Sequence, residues 1–121
     1  YPADAGINQW VRTVRLNRGE DIQVIDDFDL NKQERHIQLT LMTACEVNLG
    51  QPGMISLSNT SGVQSAQLQI GFNSQKLKVD FEEIKIEDAN LKTVWGDRIT
   101  RILLTSNGPA QKDIWILKFF P

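Results

Sequence analysis

Apolar residues return at every second position along most of this chain, and only rarely at the three-or-four spacing of a helix. Ile37, Leu39 and Leu41 share one parity of a segment from about Glu34 to Cys45, while His36, Gln38 and Thr40 share the other. Such alternation belongs to a strand packed on one side and wet on the other. Further strands are predicted over Trp10 to Asn17, Met54 to Ser58, Ala66 to Phe72, Arg98 to Thr105 and Ile114 to Phe120, from alternation or from short apolar runs bounded by turns. Ile22, Val24, Phe28 and Leu30 mark another, with Asp26 interrupting it, so an end or bulge is expected near Asp26-Asp27. Leu77, Val79 and Phe81 fall on one parity and Ile84 and Ile86 on the other, which predicts a bulge at Glu82-Glu83.

Turn residues punctuate these runs at a spacing of about 8 to 12 residues, as in sandwiches. They are Arg18-Gly19-Glu20, Leu49-Gly50-Gln51-Pro52-Gly53, the polar loop Asn59 to Gly62, Asn73-Ser74-Gln75 and Ser106-Asn107-Gly108-Pro109. Asn73-Ser74-Gln75 reads as a hairpin turn, and the last turn as the link of a final strand pair. Leu91 to Asp97 reads as an irregular crossing or short strand. The expectation is an all-β protein, an antiparallel two-sheet β-sandwich of eight or nine strands with no substantial helix. Ile114 to Phe120 is apolar on both parities, the pattern of a central strand covered on both sides, with a neighbouring domain outside this sequence as a candidate for the second cover.

Length and composition fit one ordinary globular domain over residues 1–121. The chain is 40% hydrophobic and 23% charged, with a net charge of -2, which sets disorder and fibrous classes aside. The 13 Lys and Arg are dispersed among 15 Asp and Glu, so no basic stripe is offered to nucleic acid. No run approaches the roughly 18 apolar residues of a membrane helix. Cys45 is the one cysteine and can form neither an internal disulfide nor a multi-cysteine metal site.

Chemistry-bearing residues are sparse, and no catalytic set, metal site or cofactor is expected. His36 is the one histidine and lies on the polar parity of its strand. Cys45 continues the parity of Leu39 and Leu41, as a small buried hydrophobe does. Asp27, Asp29 and Asn31 open like a calcium loop, but Lys32 stands where that loop needs glycine and Gln38 where it needs glutamate, which leaves a solvated turn. Glu82 and Glu83 are adjacent, so in a strand they point to opposite faces and make a poor acid/base dyad. Asn59-Thr60-Ser61 has the form of a glycosylation acceptor. Trp10 and Trp115 lie in predicted strands and read as core. Trp95, beside Gly96, Asp97 and Arg98, lies where an exposed ring and a cation could meet a sugar, so Trp95 and Arg98 are the candidate carbohydrate contacts.

Three segments together resemble the C-terminal part of heparinase II/III-like polysaccharide lyases. They are WVRTVRLNR over residues 10–18 with IQVIDDF over 22–28, HIQLTLMT over 36–43 ahead of residues 50–57, and LKTVWGDRITRIL over 91–103. The resemblance implies a bacterial, periplasmic or secreted parent enzyme. In that family an N-terminal α/α toroid precedes antiparallel β layers and cleaves acidic glycosaminoglycan-like polysaccharides by β-elimination. The family's catalytic Tyr and His and its charge-neutralising residue belong to the toroid and its junction with the first β layer. No position here matches them; Tyr1 precedes the domain and His36 sits in a strand motif. The implied role is a non-catalytic structural and interdomain sandwich, excised from the C-terminus of a larger chain, whose partners are the toroid and other β domains of that chain. The family's anionic substrates also direct attention to Arg12, Arg15, Arg98 and Arg101. The alternatives are a stand-alone carbohydrate-binding module and a bacterial surface sandwich that binds another protein.

Overall fold

A computed structural model of the chain describes residues 5–59, 66–96 and 98–121. The elements in chain order are β1 (Ile7–Asn17), β2 (Asp21–Glu34), β3 (Gln38–Thr43), β4 (Glu46–Gln51), β5 (Met54–Asn59), β6 (Ala66–Gly71), β7 (Leu77–Lys85), α1 (Ala89–Trp95), β8 (Arg98–Ser106) and β9 (Ala110–Phe120). They form two antiparallel sheets: a larger one in the order β1-β2-β9-β6-β5-β4, and a smaller one in the order β3-β8-β7. The expected all-β sandwich is therefore the fold.

The core lies between the sheets. Phe28 and Leu30 of β2, Trp115 and Leu117 of β9, Ile70 of β6, and Ile55 and Leu57 of β5 enter it from the larger sheet. Leu39 of β3, Leu77 of β7, and Ile102 and Leu104 of β8 meet them from the smaller one, with Ile37 just ahead of β3. Each set keeps the two-residue period of a pleated strand. Two tight turns depend on glycine. Gly19 has φ +78° in the β1–β2 hairpin, and Gly53 has φ +72° between β4 and β5, where an added Cβ would come within 2.9 Å of the Phe72 carbonyl oxygen.

Several local expectations are corrected. β2 runs unbroken through Asp26-Asp27, in register with β1 and β9, because Asp26 is neutralised where it stands. The segment expected as one strand to Cys45 divides at Ala44 into β3 and β4, which belong to different sheets. Cys45 donates its backbone N–H to Thr43 Oγ1 at 3.0 Å at that crossing. β7 holds one register with β8 across Glu82-Glu83, with no bulge. Ile84 faces outward opposite Ile99, and the buried Ile86 lies beyond the strand end.

Neither Asn73-Ser74-Gln75 nor Ser106-Asn107-Gly108-Pro109 closes a hairpin. Both carry the chain from one sheet to the other, since β6 and β9 lie in the larger sheet and β7 and β8 in the smaller. The two corners are tied together by Asn107 N–H donating to the Lys76 carbonyl at 2.9 Å and Asn107 Nδ2 donating to the Ser74 carbonyl at 2.9 Å. Ala89–Trp95 is a short helix rather than an irregular crossing. Asp88 caps it by accepting from the backbone N–H groups of Asn90 and Leu91.

Candidate functional site

Trp10, Arg12, Phe28 and Asp26 project from facing positions of β1 and β2, where Trp10 pairs with Phe28 and Arg12 with Asp26. Phe28 is fully buried, so this is the inner side of the larger sheet. Asp26 is 1% exposed, a position that would cost a carboxylate several kcal/mol unless it were paired and hydrogen-bonded. It accepts from Arg12 Nε at 2.8 Å and Arg12 Nη2 at 3.0 Å, and from Trp10 Nε1 at 3.1 Å. The bidentate guanidinium supplies charge and fixed geometry together. The Trp10 ring stacks on Phe28 with centroids 4.7 Å apart, and Trp115 meets Phe28 edge-on at 4.9 Å. These groups form a wall of three rings and one ion pair across the larger sheet.

On one side of that wall the interior is closed. Lys76 Nζ donates to Asp113 Oδ1 at 2.8 Å, joining the start of β7 to β9. Ser106 Oγ accepts from Ile37 N–H at 3.3 Å and donates to the Arg35 carbonyl at 3.2 Å. Partial burial works against the charge on Asp113, yet Lys76, the Ile114 backbone N–H and the Trp115 indole N–H hold its carboxyl below the usual aspartate range.

On the other side the inner face is open. One row of cross-strand neighbours runs Leu16, Ile22, Phe119, Ile70, Ile55 over β1, β2, β9, β6 and β5. Its exposure falls from 67% at Leu16 and 43% at Ile22 to 3% at Ile70 and zero at Ile55, with Phe119 partly buried. Val14 and Leu68 on the same face are also exposed. The smaller sheet is anchored at one end to β9 through Lys76 and Asp113 and at the other to β4 through Arg98 and Glu46. It therefore crosses the larger sheet on a diagonal and leaves the β1–β2 corner uncovered. A groove of about 360 Å³ lies there, lined by Leu16, Ile22, Leu68, Phe119 and Pro121 with the β1–β2 turn.

The outer face of the same strands is also apolar in part. Val11 pairs with Asp27 and Asp27 with Ile114, and in the next row Thr13 pairs with Ile25 and Ile25 with Ile116. Val11, Ile114 and Ile116 are each at least 40% exposed. β9 is central, as its pattern predicts, and among the described residues only its Trp115 and Leu117 side is covered within this chain.

The residues singled out from sequence are dispersed. Arg98 begins β8 and is half exposed, held by Glu83 at 3.2 Å and Glu46 at 3.4 Å. Trp95 ends α1, and its side chain lies outside the described residues, as do Asp97, Tyr1 and residues 60–62 of the polar loop. His36 is exposed and lies just ahead of β3 rather than within a strand. Cys45 is a free thiol, half buried against the core. Asp27, Asp29 and Asn31 form no turn: they follow one another along the outer face of β2, about 7 Å apart, too extended to surround one cation. Glu82 and Glu83 take opposite faces, paired with Arg101 at 2.6 Å and with Arg98.

Among the described residues no three His, Cys, Asp or Glu side chains converge as metal ligands. No described helix is long and apolar enough to cross a membrane. Of the arginines raised by the family resemblance, Arg12, Arg98 and Arg101 are matched by carboxylates, whereas Arg15 makes no ion pair among the described residues. The uncovered corner escaped the sequence reading because Leu16 and Ile22 keep the same period as the buried residues. The chain matches no family model and no curated protein.

Proposed function

We propose that this sandwich is the non-catalytic C-terminal structural domain of a periplasmic or secreted lyase of acidic glycosaminoglycan-like polysaccharides, and that it works by docking its open corner on a neighbouring domain of the parent chain. The observation that carries the reading is the graded exposure along Leu16, Ile22, Phe119, Ile70 and Ile55. A row of side chains alike in chemistry starts in the core and ends in water, which is the form of an interface cut open. Covering the half-exposed members stabilises the contact by on the order of 1 kcal/mol for each side chain. The parent enzyme and its substrate class in this proposal rest on the sequence resemblance alone.

The test is made in the parent lyase. Leu16→Asp, which places a charge in the covered contact, is expected to split one thermal unfolding transition into two, with turnover per folded molecule unchanged below the first. An unaltered single transition rejects docking through this corner. A fall in kcat/KM without any change in unfolding points to substrate contact instead. The carbohydrate-binding alternative is separated by a glycan-array screen of the chain beside Trp95→Ala; sugar affinity lost in that variant favours it.

A further inference from the structure

β1 closes one edge of the larger sheet, and among the described residues nothing pairs with its outer side. It is 11 residues long, twice the usual strand length, and neither shortened, bulged at its centre nor interrupted by proline. Natural sheets commonly protect a long edge by such devices, because its free N–H and C=O groups are a template for another strand. The residues beside this edge differ by face. On the inner side Val14 and Leu16 stand 65% and 67% exposed. On the outer side Arg15 is exposed, and the stretch from Ile7 to Gly19 holds Arg12, Arg15 and Arg18 with no Asp or Glu. Arg12 is committed to Asp26; Arg15 and Arg18 make no ion pair among the described residues.

We infer that the free edge of β1 accepts an extended segment of alternating apolar and acidic residues as an additional strand. The inference rests on the docking function proposed above and names the element that docks and the chemistry of its partner. Main-chain hydrogen bonds hold such a strand, and the alternation sets its face. Its apolar residues cover Val14 and Leu16 and extend the core into the open corner, while its carboxylates stand on the outer face beside Arg15. A second copy of the chain fits worse, because pairing β1 with β1 sets arginine-bearing strands against each other, and like charges across a sheet are destabilising.

The probe is a short capped peptide alternating valine with glutamate, followed by fluorescence anisotropy, with amide hydrogen exchange read over Ile7–Asn17. Binding that weakens with salt and slows exchange along β1 is expected. Arg15→Glu is expected to weaken that peptide about fivefold and to gain affinity for the matching peptide that alternates valine with lysine. Arg15 is exposed on the outer face, so this variant folds. No binding of the glutamate peptide, binding indifferent to the charge exchange, or association of the chain with itself through β1 overturns the inference. In the parent lyase, loss of docking with Leu16→Asp while β1 exchanges freely in the unsubstituted enzyme leaves the docking function standing and removes strand addition.

Discussion

At the Asp113 end of the larger sheet, Phe28 and Leu30 lie beneath the smaller sheet, and Lys76, Ser106 and Asn107 bind the rim with side-chain hydrogen bonds. At the Leu16 end, Leu16 and Ile22 hold the same parity of β1 and β2 and remain exposed. Burial here is decided by which part of the larger sheet the smaller one crosses, because hydrophobicity and pleat are alike at both ends. The widest separation between the ends is expected in stability. Phe28→Ala removes a fully buried ring and should cost about 3–5 kcal/mol, whereas Leu16→Ala, already mostly in water, should stay within about 0.5 kcal/mol. Urea unfolding of both variants checks this. A Leu16→Ala loss approaching that of Phe28→Ala would mean that the corner is covered in solution.

The aromatic wall between the ends allows a subtler test, because its two charged partners sit in different surroundings. Asp26 is 1% exposed and the Arg12 side chain 54%. Removing Arg12 strands a carboxylate in the interior, while removing the carboxylate leaves a guanidinium able to reach water. Arg12→Met should therefore destabilise by about 3 kcal/mol, and Asp26→Asn, which keeps an acceptor for the Trp10 indole, by clearly less. The order of the two denaturation midpoints is the measurement. The reverse order would show that Asp26 is worth more to the wall than its burial implies.

How much of this was legible follows from what each feature depends on. The strands and many core positions depend on local alternation, and Leu39, Ile70 and Leu77 declare it. Asp26 was misread as a break because its neutralising partners come from β1, and a period-two pattern says nothing about which strand lies alongside. The turns at Ser74 and Asn107 have hairpin composition, yet both change sheets; only the pairing of distant strands distinguishes the two outcomes. Ile84 and Ile86 looked like a phase shift, but the strand ends at Lys85 and Ile86 is buried from the segment that follows. The short helix was hidden within a chain of strands, although Asp88 before Asn90 and Leu91 is an ordinary capping signal. The candidate contacts Trp95 and Arg98 were named from adjacency alone. In the structure Arg98 is held by Glu83 of β7 and Glu46 of β4, partners that lie far from it in sequence.

The smallest expected effect concerns the closed rim and its response to acid. Asp113 has its carboxyl held below the ordinary value of 3.8, against the opposing effect of partial burial, by Lys76 together with the Ile114 and Trp115 N–H donors. A carboxylate lowered on folding contributes stability that is complete above its unfolded-state value and is lost as pH falls through its lower folded-state value. The closed end should therefore loosen only in acid below the normal aspartate range, and only slightly, since the pair is partly open to water. Lys76→Ala removes the ammonium and should move the Asp113 midpoint upward in a carboxyl-carbon NMR titration, so that the rim contribution fades at a higher pH than in the unsubstituted chain. An unmoved midpoint would assign the lowering to the Ile114 and Trp115 donors, both carried by β9 itself. Lys76 would then be no electrostatic tie between the sheets, and closure of this end would rest on Ser106, Asn107 and the packed core.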